Sequence, residues 1–226
     1  MTMKLHCFGE SGNAYKAALT LTLADAEWEP VFVDFFKGES RSPEFRALNV
    51  MGEVPVLEDG DLILTQSGVI QDYISSKTGK LGGRSAAERR EVLRWMFFDN
   101  HKVSGVAGPL RFNMNYLPED KRNADVNNFM AMRLASALKV METHLEDRDW
   151  LAGEDITIAD IACAGYLFYT EDFTVTAWNF IRGGEGEGRP TVWKGNQDFN
   201  GILISTEHRN PEGMGLWFSD IEVKLK

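Results

Sequence analysis

Between Lys4 and Asp34 the chain sets out a strand, a Gly-containing turn, a helix and a second strand, and that order restricts the fold more than any other feature. Leu5 and Cys7 alternate with Lys4 and His6 as strand residues do, and Ala14, Ala17, Ala18, Leu21 and Ala24 then recur at helical spacing. Trp28-Glu29-Pro30-Val31-Phe32-Val33-Asp34 is β-branched and aromatic, and runs parallel to the first strand if the helix between them is a crossover. The result is one βαβ unit. Ser11 falls in its turn, beside the positive end of the helix dipole, where unpaired N–H groups favour an anion. Capping the helix is the simpler role for a lone serine there.

The next segments extend the same layer. A polar stretch, 37–42, precedes Pro43-Glu44-Phe45-Arg46-Ala47-Leu48-Asn49, a short helix with Pro at its first position. Val54-Pro55-Val56-Leu57 and Leu62-Ile63-Leu64 flank Glu58-Asp59-Gly60-Asp61, which has hairpin-turn composition. A helix over 66–77 closes the layer, and the Gly-bearing stretch 78–87 reads as a linker. Beyond it the pattern is helical. One helix is predicted over 88–115, bent or broken in its second half by Gly105, Gly108 and Pro109. Another is predicted over 119–145, with Val126, Phe129, Met130, Leu134, Ala137, Leu138 and Met141 as its core stripe. Thr157-Ile158-Ala159-Asp160 has the form of a capping box closed by Asp.

The 226 residues are enough for one large domain or two small ones with a real core. A formal charge of −10 and a pI of about 4.9, with no basic cluster, argue against a nucleic-acid partner. Cys7 and Cys163 lie far apart in apolar surroundings and fit neither a redox nor a zinc spacing; they read as buried small hydrophobes, and no metal is expected. No run is long and apolar enough to span a bilayer, so no membrane is expected and the cytoplasm is the default compartment.

Five segments in order resemble the cytosolic glutathione transferases, specifically the bacterial serine-type, theta/nu-like sequences. They are Phe8-Gly9-Glu10-Ser11-Gly12-Asn13-Ala14-Tyr15-Lys16, Ser42-Pro43-Glu44-Phe45-Arg46-Ala47-Leu48-Asn49, Gly52-Glu53-Val54-Pro55-Val56-Leu57, Thr65-Gln66-Ser67-Gly68-Val69-Ile70 and Thr157-Ile158-Ala159-Asp160. The resemblance implies a thioredoxin-like domain over 1–80, a mixed four-stranded sheet with helices, followed by an all-helical domain over 88–173. Residues 174–226 do not match the family and form an atypical C-terminal extension of unclear structure.

The resemblance also implies a function: conjugation of the glutathione thiolate to a soft electrophilic small molecule. Glutathione is then the co-substrate and the enzyme a homodimer, with an apolar stripe of Trp95, Phe97 and Phe98 either at its interface or filling the core. Ser11 becomes the catalytic residue, donating a hydrogen bond to the thiolate. Val54 pairs its backbone with the tripeptide across a cis Val54-Pro55 bond, and Gln66 and Ser67 hold the γ-glutamyl end. Glu53 adjoins the ligand, and Lys37 faces the glycyl carboxylate. Asn13 and Tyr15 are the next polar groups near the sulfur. The alternatives are a glutathione-dependent disulfide reductase or peroxidase, and a non-catalytic binding or scaffold protein on the same fold.

Overall fold

The computed structural model describes residues 2–167 and 169, together with the backbone of four short strands between 179 and 207. The described residues form two compact units, the first running to Gly82 and including the strand pair between 194 and 207, the second beginning at Gly83.

In the first unit, β1 (Met3–Cys7), α1 (Gly12–Leu23) and β2 (Trp28–Phe32) make the βαβ unit, with β1 and β2 parallel. α2 (Pro43–Leu48) follows, then β3 (Val56–Asp59) and β4 (Leu62–Thr65), and α3 (Ser67–Thr78) completes the layer. Strand order is β2-β1-β3-β4, so the sheet is mixed: β1 pairs parallel with β2 and antiparallel with β3. Pro30 sits on the edge strand β2, where a missing N–H is tolerated. The core is built on the two inner strands, from Leu5, Cys7, Val56 and Leu57, against Ala14, Ala18 and Leu21 of α1 and Ile70 and Ile74 of α3. Gln71 Nε2 of α3 donates to Thr20 Oγ1 of α1 at 3.1 Å.

The hairpin is tighter than its sequence suggests. β3 begins at Val56 rather than Val54 and runs on to Asp59, leaving Gly60 and Asp61 as a two-residue turn. Gly60 supplies the positive φ of 62° that such a turn needs. Asp59 is held in the strand because its carboxylate accepts from Tyr73 Oη of α3 at 2.6 Å and pairs with Lys77. Both donors pull that carboxyl below its usual range.

In the second unit, α4 (Ala86–Phe98) passes through a π-helical turn, Asp99–Val103, into α5 (Ser104–Asn115). The irregularity lies upstream of its expected place. Pro109 remains inside α5, whereas the chain loosens at the π turn, where Gly105 approaches the Asn100 carbonyl so closely that a Cβ would clash. α6 (Ala124–Leu145) starts later than 119, because Glu119–Lys121 is a separate 3-10 turn and Asn123 caps the helix through the Asp125 and Val126 N–H groups.

The stripe on α6 is also narrower than expected. Leu134, Ala137, Leu138 and Met141 are buried, but Val126 and Phe129 are exposed, Phe129 to 55%. Trp95 is core, only 1% exposed, and Phe97 is 66% exposed, so these neighbours on α4 face opposite ways and do not form one stripe.

α7 (Ile158–Ala164) opens on the expected capping box: Thr157 Oγ1 accepts from Ala159 N and Asp160 Oδ2 accepts from Thr157 N at 2.8 Å. Most of 174–226 lies outside the described residues. The strands described there are β5 (Asn179–Phe180) with β6 (Arg189–Pro190), and β7 (Lys194–Phe199) with β8 (Ile202–Glu207), both pairs antiparallel. No helix among the described residues is long and apolar enough to cross a membrane.

Candidate glutathione site

Two helix starts and one cis peptide meet at the end of the sheet in the first unit. β1 ends at Cys7, and Ser11 is the N-cap of α1, with extended backbone and a buried side chain. Its Oγ accepts the Ala14 N–H at 3.2 Å, so the capping role is real. That bond uses an oxygen lone pair and leaves the hydroxyl hydrogen available to a second partner. Cys7 offers no competing thiolate: burial pushes its pKa up to about 12, against a smaller lowering from the Val31 backbone. Burial likewise raises Tyr15, which stays a neutral phenol in the core.

α3 starts differently from α1. Gln66 is its N-cap residue but makes no side-chain cap bond, and holds φ 68° and ψ 118°. A non-glycine residue there costs of order 1–3 kcal/mol. Its Nε2 points back to the preceding loop, 3.0 Å from Met51 Sδ and 3.5 Å from Glu53 Oε2. Ser67 Oγ donates to Asn13 Oδ1 at 3.3 Å, tying the start of α3 to the start of α1. With neither side chain capping, the first-turn N–H groups of α3 keep the positive end of the helix dipole open to an anion.

The loop before the sheet is fixed from several sides. Buried Asn49 donates through Nδ2 to Glu53 O at 2.7 Å and accepts through Oδ1 from Met51 N at 3.1 Å. Arg46 Nη1 donates to Val50 O at 3.2 Å. Gly52 has φ 67° and lies so near Ser40 O that a Cβ would stand 2.8 Å away. The chain then passes through Val54–Pro55, which is cis, before β3 begins. Val54 lies outside the strand ladder.

Of the residues expected to form the site, Ser11, Glu53, Val54, Pro55, Gln66 and Ser67 thus lie on connected segments. Lys37 stands apart: its side chain is 85% exposed and its Nζ is 2.8 Å from Asp34 Oδ2. One cation on the same stretch escaped the sequence reading. Arg41, in the 3-10 turn Glu39–Arg41, is exposed and has no ion-pair partner among the described residues. The signal was present in the polar composition of 37–42, but nothing in the sequence showed which of its cations an aspartate would take. Asn13 was a secondary candidate as a group near sulfur; its observed role is to accept from Ser67.

Residues 1–76 match the family model described as "Glutathione S-transferase, N-terminal domain", and residues 119–193 match "Glutathione S-transferase, C-terminal domain". The chain is 34% identical to glutathione S-transferase 3 of Zea mays over 165 residues, 70% of this chain and 73% of that protein. It is 33% identical to glutathione S-transferase F10 of Arabidopsis thaliana, covering 70% and 75%. Among solved structures, a possible glutathione S-transferase from Rhodopseudomonas palustris has a TM-score of 0.70 and 36% identity, covering 76% of this chain and 78% of that one. A glutathione transferase from Burkholderia graminis, solved with two glutathione molecules bound per subunit, has a TM-score of 0.68 and 27% identity, covering 74% and 71%. With the sheet order, the cis Val54–Pro55 bond and the two helix starts, these similarities lead to one conclusion: the chain belongs to the glutathione S-transferase family of enzymes.

Proposed function

We propose that this enzyme is a serine-type, theta/nu-like transferase that conjugates glutathione to a soft electrophilic small molecule, with Ser11 stabilising the thiolate. The observation that carries the reading is the hydrogen bond at Ser11: its oxygen is engaged by Ala14 N–H, so its hydrogen is the group left to donate. Serine at its ordinary pKa is no base, and its contribution is to hold the sulfur as an anion beside the α1 dipole. The thiolate sulfur then forms a bond to the electrophilic carbon while the leaving group departs with the displaced electron pair.

The remaining residues bind. Val54, which lies outside the strand ladder, offers its backbone N–H and C=O to the cysteinyl part of the tripeptide. Gln66, Ser67 and the open N-terminus of α3 hold the γ-glutamyl carboxylate and amine, with Glu53 beside the amine. At the glycyl end Lys37 has to exchange Asp34 for the ligand, whereas Arg41 does not, so Arg41 joins Lys37 as a partner for that carboxylate.

The same reading takes 1–80 as the glutathione-binding domain, 88–173 as the helical domain and 174–226 as an extension, in a cytoplasmic homodimer, although the match to the family's C-terminal domain runs on from 173 to 193. The exposed apolar side chains Leu93, Phe97, Phe129, Met132 and Val140 on α4 and α6 are what favours a homodimer. Titration calorimetry with glutathione, followed by turnover of an aromatic halide against a disulfide, tests the function. Saturable binding with turnover of the halide is expected. Absence of binding at millimolar glutathione would overturn the reading, and turnover of the disulfide alone would replace conjugation by reduction.

A further inference from the structure

We propose that Met51 is a redox modification site, at which oxidation to the sulfoxide draws Gln66 away from glutathione and weakens its binding. The inference rests on the reading of Gln66 as a γ-glutamyl ligand given above.

The geometry singles out this sulfur. Met51 is 54% exposed, and among the described methionines only Met132 is comparably open, at 64%. Met132 lies on α6 in the other unit, whereas Met51 Sδ is 3.0 Å from Gln66 Nε2. The thioether is presented there by a backbone with little freedom, bonded to Asn49 at Met51 N, Gly52 N and Glu53 O, and to Arg46 at Val50 O. Gly52 adds a positive φ with no room for a side chain. Gln66, on the other side, is the residue whose backbone departs from ordinary geometry at the start of α3. Its amide donor is therefore aimed at Met51 by two constrained segments.

A thioether sulfur is a weak acceptor, so the present contact is readily exchanged for a ligand group. The sulfoxide oxygen is a strong, polar acceptor, and it would sit within reach of the same N–H. A hydroperoxide can supply it: the sulfur lone pair attacks one peroxide oxygen, the O–O bond breaks and the S–O bond forms. The leaving hydroxide or alkoxide takes up the transferred oxygen's proton, giving water or an alcohol. Sulfur loses two electrons and the peroxide gains them. Methionine sulfoxide reductase, drawing on a thiol, reverses the step. The oxidised enzyme is thus one in which glutathione has to displace a sulfoxide–amide hydrogen bond in place of a thioether contact, which weakens binding by about three- to tenfold.

The test treats the full chain with hydrogen peroxide, removes the excess with catalase, and measures glutathione affinity by calorimetry. Peptide mass spectrometry establishes the oxidation state of Met51. Wild type and Met132→Leu are expected to lose affinity about three- to tenfold on treatment and to recover it with methionine sulfoxide reductase, while Met51→Leu keeps its own untreated value. Unchanged affinity in wild type carrying Met51 sulfoxide would overturn the inference, as would an equal loss in Met51→Leu. Failure of the untreated wild type to bind glutathione would overturn the glutathione reading and this inference with it.

Discussion

The proposed function gives Ser11 two tasks with one oxygen, and the substitution Ser11→Gly separates them. As N-cap it accepts the Ala14 N–H, and in the proposed mechanism its hydrogen is donated to sulfur. Glycine caps a helix within a few tenths of a kcal/mol of serine but has no hydrogen to give, so Ser11→Gly should retain stability. Losing a hydrogen bond to a charged partner costs about 1.5–3 kcal/mol. At ~1.4 kcal/mol per unit, that raises the pKa of the bound glutathione thiol by about 1–2 units. Ser11→Ala loses the cap as well, worth about 1 kcal/mol, and should lower Tm by about 2–4 °C in a chain of this size. Ser11→Thr keeps both groups and stays close to wild type in both respects. The assay is the ultraviolet absorbance of the thiolate in the binary complex followed against pH, beside the pH profile of kcat/KM and a thermal melt for each variant. A Ser11→Gly enzyme with the wild-type thiol pKa would refute the argument, because the hydroxyl hydrogen would then have no part in holding the anion.

Other expectations follow from single contacts. Burial lifts the Asp160 pKa from 3.8 to about 6, against the opposing pull of the Leu151 and Thr157 donors. The folded state then binds that proton more tightly than the unfolded one, so this group's contribution to stability falls by roughly 3 kcal/mol as pH rises from about 4 to above 6. In denaturant melts across that range the stability of wild type relative to Asp160→Asn should fall by this amount as pH rises, and a constant difference or a rise would refute it. Gly105→Ala places a Cβ against the Asn100 carbonyl at the π turn and should destabilise by about 1–3 kcal/mol in a urea melt. Arg41→Ala should raise the KM for glutathione more than Lys37→Ala does, with kcat little changed in either, because Lys37 is already paired with Asp34. Phe129→Asp puts a charge on an exposed apolar face and should shift the enzyme towards monomer in light scattering.

The sequence was most legible where local chemistry and burial agree. The βαβ unit follows from the alternation of Leu5 and Cys7 and the Ala-rich face of α1, and every one of those residues is buried. The capping box at Thr157 could be found because its donors and acceptors lie within three residues of one another. Boundaries failed where a distant partner decides them. β3 extends to Asp59 because Tyr73 and Lys77, on a helix well downstream, hold its carboxylate. The helix at 88–115 loosens at Asn100 and not at Pro109, since a π turn depends on how the neighbouring residues pack and leaves no periodicity to read. Phe129 and Trp95 show the same limit: periodicity placed Phe129 inside and it is exposed, and it left Trp95 open between interface and core, where Trp95 is buried.

For the candidate site, residue type and spacing pointed to groups that lie on connected segments, but not to the partners their side chains take. Lys37 and Arg41 are equivalent as cations in the sequence; Asp34 makes them different by pairing with one of them. Gln66 and Ser67 have the composition of a cap, yet the folded chain spends their side chains on Met51, Glu53 and Asn13, and α3 begins uncapped as a result. Ser11 goes the other way: it has the composition of a cap and is one. A helix start that is capped by an oxygen still holding its hydrogen suits a thiolate, which needs one donor in a dry setting. A helix start left uncapped suits a carboxylate, which needs several N–H donors at once. On the proposed reading, the different treatment of two serines near two helix N-termini is therefore what would let one end of the sheet hold the thiolate and the γ-glutamyl carboxylate of a single ligand in a fixed orientation.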